Sequence, residues 1–174
     1  MLNFSFIQSL ECWSDAMKVS SENVSYQDVF DAATRLLARR EHSATELKRK
    51  LTLKGWPSAL IDEAIANLQQ QDWQSDERFL QSYVRQRLAQ GDGPLKLAQQ
   101  VLQNKGVDQQ QWQQFLASCE IDWQQQCAEV VRRRFADNVP DSQKAWAKQV
   151  RFLQQRGFTQ EQIFAVVQRP KNWS

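Results

Sequence analysis

The chain has 174 residues, 41% hydrophobic and 24% charged, which is the composition of a folded, core-forming protein rather than a disordered or fibrous one. No apolar run approaches the roughly 20 residues of a membrane helix, so a helical span is excluded and no membrane association is expected. One histidine and three scattered cysteines (Cys12, Cys119, Cys127) lack the tight spacing of a zinc site. No metal or other cofactor is therefore expected, and the unpatterned thiols fit a reducing cytosol.

The N-terminal stretch 1–25 reads as an extension outside the main pattern. Phe4, Phe6, Ile7 and Leu10 are apolar, but Glu11 and Asp15 interrupt them and no basic region comes first, so it is not a secretory signal. Residues 1–16 read either as a lineage-specific extension or as the product of a misassigned start, with Met17 as the alternative first residue. The net charge of +2 conceals a gradient. Residues 1–27 carry one lysine against three acids, whereas 121–174 carry nine basic residues against five acidic ones, which favours an anionic partner for the C-terminal part.

From Tyr26 onward the chain repeats. Lys54-Gly55-Trp56, Lys105-Gly106-Val107 and Arg156-Gly157-Phe158 stand 51 residues apart, each basic, glycine, large apolar. Leu51, Leu102 and Leu153 precede the glycines, and the helix starters Pro57, Asp108 and Thr159 follow them. Each glycine fits the left-handed residue that ends a helix. A second series places Arg40, Arg87 and Arg134 47 residues apart, each preceded by a pair of apolar residues. Together these predict an all-α chain of three tandem three-helix repeats, over 26–71, 72–120 and 121–174. The predicted helices cover 28–41, 43–54 and 57–71, then 75–90, 94–105 and 109–119, then 122–137, 142–156 and 160–168.

Helix, glycine turn, helix invites a helix-turn-helix reading, but the third helices of the first two repeats carry no basic residue and the last has only Arg169. Sequence-specific duplex reading is therefore disfavoured. Basic residues gather elsewhere, at Lys48, Arg49, Arg78, Arg85, Arg132 and Arg133. Lys144, Lys148 and Arg151 follow at a spacing that shares one helical face. These are the candidate partner-binding or DNA-binding faces, with the row at 144–151 the best of them for a phosphate or an acidic protein groove. Stepping about 100° per residue from Trp123 sets Arg134 inside an apolar arc while Arg132 and Arg133 point away. The repeat arginines Arg40, Arg87 and Arg134 are thus expected to be structural, paired with carboxylates or carbonyls or lying along the core.

No catalytic constellation emerges. His42 reads as a capping or surface residue, and Gly91-Asp92-Gly93-Pro94 as a turn in which Pro94 opens the next helix. Asp62/Glu63 and Asp76/Glu77 are adjacent rather than facing, as first-turn helix residues are. The protein is expected not to be an enzyme.

Leu36-Leu37-Ala38-Arg39-Arg40-Glu41-His42-Ser43, with Glu46-Leu47, Lys50-Leu51 and Gly55, resembles the opening repeat of the RecX regulatory family. Asp76-Glu77-Arg78-Phe79, Tyr83-Val84, Arg87, Gly91 to Pro94, Leu102 and Gly106 are similar to its middle repeat; the third repeat is looser, and Leu95–Leu97 is approximate. The resemblance covers about 26–168. It implies elongated, curved tandem three-helix repeats and a cytoplasmic, monomeric modulator, mainly an inhibitor, of the RecA recombinase. Such a protein binds RecA and its single-stranded-DNA filament in the helical groove, blocks extension, ATP hydrolysis and strand exchange, and so bears on DNA repair, homologous recombination and the SOS response. Weak DNA binding would be secondary. The alternative is a helical-repeat protein that binds single-stranded or duplex DNA directly and acts by competition.

Overall fold

A computed structural model describes residues 24–136 and 139–170. Cys12, Met17 and the expectations for 1–16 lie outside the described residues, as does all but the end of the 1–25 extension. Among the described residues there are nine helices and no strand, so the fold is all-α as the repeat pattern predicts. Two compact units divide at Ser75/Asp76.

The first unit holds α1 (Tyr26–Leu37), α2 (Ala44–Thr52) and α3 (Ser58–Gln70). Ser25 starts α1 with a capping box to Asp28, and Ser43 starts α2 by accepting the Glu46 amide. Ala32 and Ala33 keep the buried face of α1 small, so α3 packs closely on it. Val29, Leu47, Leu51, Ile61, Ile65 and Leu68 fill the space between the three helices. Helix α1 ends at Leu37, short of the predicted 41, because the next residues turn to serve a buried polar cluster described below. After α3 the chain passes through a left-handed Asp72, and the amides of Trp73 and Gln74 both donate to the Leu68 carbonyl. Trp73 then meets Phe30, and the Gln74 amide group donates to the His42 carbonyl at 3.1 Å. Residues 72–75 are thus tied to the first repeat's core, although the sequence pattern groups them with the second.

The second unit contains two repeats, each with its own core. The first has α4 (Asp76–Ala89), α5 (Pro94–Gln99) and α6 (Gln109–Ser118) around Phe79, Leu97, Val101 and Trp112. Helix α5 does not run unbroken to 105 as predicted: over Gln100–Asn104 it widens into a π-helical turn. The other repeat has α7 (Trp123–Phe135), α8 (Gln143–Arg156) and α9 (Gln160–Val166) around Cys127, Val130, Leu153 and Ile163. Asp108 and Thr159, the starters expected two residues past a repeat glycine, both form complete capping boxes. Burial pushes the Cys127 thiol up to about 11.

These two repeats meet at the turn Gly91-Asp92-Gly93-Pro94. The Gly93 amide donates to the Arg156 carbonyl at 2.7 Å and the Leu95 amide to the Gly157 carbonyl at 3.0 Å. That approach is possible only because neither chain carries a Cβ there. One built on Gly93 would sit 2.6 Å from the Gly157 carbonyl, and one on Gly157 would sit 2.5 Å from Lys96. The last carbonyls of α4, which no intrahelical donor reaches, are capped across the seam. Gln126 donates to Leu88 (2.6 Å), Arg133 to Ala89 (3.1 Å) and Arg156 to Gln90.

Gly157→Ala is expected to destabilise the 76–174 unit by more than about 2 kcal/mol, since left-handed geometry alone costs roughly 1–2 kcal/mol at a residue with a Cβ and the seam must also open. Gly55→Ala has the same left-handed backbone but nothing within 4 Å of its new Cβ, so it should lose only the backbone part, about 1 kcal/mol. Urea midpoints compare the two, and equal shifts would contradict the steric account of the seam.

Candidate partner interface

The arginines that recur every 47 residues differ in what they meet. Arg40 forks onto Glu46 with two bonds of 2.9 Å, and Glu46 is only 3% exposed. His42 approaches the same carboxylate through Nδ1 at 3.0 Å. It is 2% exposed, which corrects the expectation of a surface position: the chain between α1 and α2 folds inward over Glu46. Burial is the main force lowering the His42 pKa, the Arg40 charge adds to it, and Glu46 opposes. Arg87 pairs with the buried Asp92, which also takes Lys96 at 2.9 Å and has Arg156 3.9 Å away. At the offsets where Arg40 and Arg87 have their acids, six and five residues on, Arg134 has Pro140 and Val139. It is exposed rather than inside the apolar arc, with its guanidinium 5.8 Å from the Phe135 ring. Phe135 makes the inward contact instead, edge-on to Phe152 at 5.5 Å.

The basic residue before each repeat glycine has a shared role that sequence spacing did not disclose. Lys54 lies 4.6 Å from the centre of Trp56, Lys105 5.2 Å from Tyr83 and Arg156 5.3 Å from Phe152. The ring sits at a different sequence offset each time, so a single-register pattern cannot find it.

The candidate basic faces separate into several places. In the first unit Lys48 bonds Asp62 at 2.6 Å, holding that carboxyl below its usual range, and Arg49 is exposed beside it on α2. On α4, Arg78 is half-buried and Arg85 exposed. Arg132 and Arg133 both engage Glu129, whose carboxyl they hold low. Arg133 also reaches Ala89 across the seam, so it faces α4. Lys144, Lys148 and Arg151 share the exposed face of α8, opposite the buried Val150 and Leu153; Arg151 bonds back to the Ala147 carbonyl at 3.3 Å. Sequence reasoning missed Asp92, Gln126 and Arg156 as the joint of the seam. The signal for Arg156 was present in the basic-glycine-apolar triplet, but its partners are carbonyls, which leave no mark in a sequence.

Among the described residues no helix is long and apolar enough to cross a membrane. Models of the RecX family match the chain three times and in order: the first three-helix domain at residues 30–68, the second at 75–116 and the third at 120–167. The chain belongs to the RecX regulatory family. Regulatory protein RecX of Serratia proteamaculans is 37% identical over 80% of this chain and 95% of its own length. The Pseudomonas entomophila protein of the same name is 40% identical over 74% of this chain and 82% of its own. The crystal structure of RecX from Lactobacillus salivarius superposes with a TM-score of 0.64 over 81% of this chain and 93% of that one, at 20% identity. At that identity it shows the shared fold alone. The RecX relatives are named as regulatory proteins.

The His42–Glu46–Arg40 cluster makes the first RecX repeat acid-sensitive. His42 binds its proton less readily folded than unfolded, so its contribution to stability is intact above the ordinary value of 6.5 and is lost as pH falls from there towards the lower folded value. His42→Gln should flatten that limb of the urea midpoint between about pH 7 and pH 5; an unchanged limb would assign it to another group. Glu46→Ala should cost about 2 kcal/mol, less than the 3–5 kcal/mol of a fully buried pair, because Arg40 can turn into water.

Proposed function

We propose that this RecX-family protein modulates the RecA recombinase, chiefly as an inhibitor, by binding RecA and its single-stranded-DNA filament in the helical groove. The observation that carries this reading is the presence, in order, of all three RecX three-helix domains across the chain. The mechanism is steric and electrostatic: the repeats 26–71, 72–120 and 121–174 contact neighbouring RecA protomers, while basic faces approach the groove or the DNA backbone. Subunit addition, ATP hydrolysis and strand exchange are blocked as a result. The protein acts in the cytoplasm as a monomer, without a cofactor.

Among the basic faces, the row at Lys144, Lys148 and Arg151 is the strongest candidate. It is exposed as a unit, and among the described residues no carboxylate pairs with it, whereas Lys48 is neutralised by Asp62 and Arg132 by Glu129. Removing it leaves the α8 core residues untouched.

The test is single-stranded-DNA-dependent ATP hydrolysis by the cognate RecA, titrated with wild-type protein and with the Lys144→Ala/Lys148→Ala/Arg151→Ala variant. Inhibition at substoichiometric levels is expected, with the folded variant needing at least tenfold more protein. Equal inhibition by both would keep the function and remove this surface from it. No inhibition by folded wild-type protein would overturn the reading. A salt titration separates the alternative of direct DNA competition: six to ten phosphate contacts lose roughly 10³–10⁵ in affinity between 50 and 200 mM salt.

A further inference from the structure

Beside the seam lies a concavity of about 170 Å³ lined by Gln90, Gly91, Val130 and Phe152 and by three arginines, Arg133, Arg134 and Arg156. Three guanidinium groups around one small space repel each other, and among the described residues the carboxylates near them are Glu129 on Arg133 and, at 3.9 Å, Asp92 beside Arg156. Arg133 shares Glu129 with Arg132 and spends a second N–H on the Ala89 carbonyl, and Arg156 is anchored by the neutral Gln90 carbonyl. Asp92, 3.9 Å from Arg156, is already engaged by Arg87 and Lys96. Arg134 lies over the Phe135 ring, a contact that uses none of its N–H groups. A guanidinium has five N–H donors in a flat fork suited to two-oxygen anions. Against the described residues several on each arginine therefore remain for a ligand, and the carbonyl anchors at Ala89 and Gln90 hold two of the three forks in place beforehand.

We propose that this concavity binds a backbone phosphate of single-stranded nucleic acid, with the half-buried Phe152 ring as its apolar wall. The volume admits a phosphate group but not a whole nucleotide. Lys144, Lys148, Phe152 and Arg156 follow one another at four-residue steps along α8, a ridge with side chains about 6 Å apart and roughly 18 Å long in all. A row of cations at regular spacing, with an aromatic ring set into it and a fork of arginines at its end, suits a polymer that carries one negative charge per unit and a flat base beside each. An acidic protein segment would match the charge but has no use for the ring. The assignment gives Arg134 and Arg156 a ligand, where sequence spacing made the first structural and the second merely the residue before a glycine. It deepens the reading of the protein as a filament-groove binder, since that groove contains single-stranded DNA.

Fluorescence anisotropy of a labelled oligothymidylate with the full chain, in the absence of any recombinase, tests the site separately from that reading. Arg134→Gln touches neither the seam nor the core. It should weaken binding three- to tenfold at low salt and flatten the plot of log affinity against log salt by about 0.7, the value of one lost phosphate contact on a single strand. Phe152→Leu should weaken binding with the salt slope unchanged. Arg39→Gln, exposed in the first repeat, controls for loss of general charge. Labelled polyglutamate is run in parallel. The site is overturned if Arg134→Gln, folded by circular dichroism, behaves like Arg39→Gln, or if Arg134→Gln loses polyglutamate binding while its oligothymidylate binding stays at the wild-type level. Either result would leave inhibition of the recombinase unaffected.

Discussion

Two backbone hydrogen bonds between repeats, from Gly93 to Arg156 and from Leu95 to Gly157, fix the geometry on which the unit from Asp76 onward depends. Main-chain groups cannot stretch to accommodate a misplaced neighbour as a long side chain can. Once the two chains approach closely enough to exclude a Cβ, the second and third repeats form one body. Everything else at the seam is consistent with that approach: the C-terminal carbonyls of α4 find their donors in α7 and α8, and the buried Asp92 collects cations from its own repeat with Arg156 close by. A buried carboxylate is costly to desolvate, and this one is tolerated because it is surrounded by opposite charge. Arg156 also lines the arginine-rich concavity next to it.

The elements themselves were legible from local signals. Glycines at a constant interval, the caps at Asp108 and Thr159, and apolar residues at helical spacing are all short-range facts, and the helices follow them within a few residues. What the pattern missed is what depends on distant partners. Helix α1 stops early because Arg40 and His42 are drawn to Glu46, and a helical-wheel argument does not see that pull. Helix α5 widens at Gln100–Asn104 for reasons that neither its sequence nor its neighbours make evident. Periodicity places Arg134 on the apolar arc, yet Phe135 beside it takes the inward position because Phe152 is there to receive it. A wheel built on one helix contains no term for the helix it packs against.

The candidate interface was legible in part for the same reason. A row of Lys144, Lys148 and Arg151 is a property of one helix, and it stands exposed as the spacing requires. The arginine fork assembles from α7 and α8 beside the end of α4, and nothing in the spacing of those residues brings them together. Its anchors on α4 and the following turn are carbonyls, which every residue possesses, so a search for complementary charges would not connect it to them.

The polar clusters also differ in where their members come from. Glu46 takes Arg40 and His42 from within its own repeat, whereas the end of α4 is completed by side chains supplied by the next one. The first repeat therefore carries these two partners of its buried acid within itself. The second and third have become a single inheritable piece: a gene rearrangement that exchanged or duplicated either one alone would take from the end of α4 the side-chain donors Gln126, Arg133 and Arg156. A recombination breakpoint near residue 120 would part those donors from the helix end they complete.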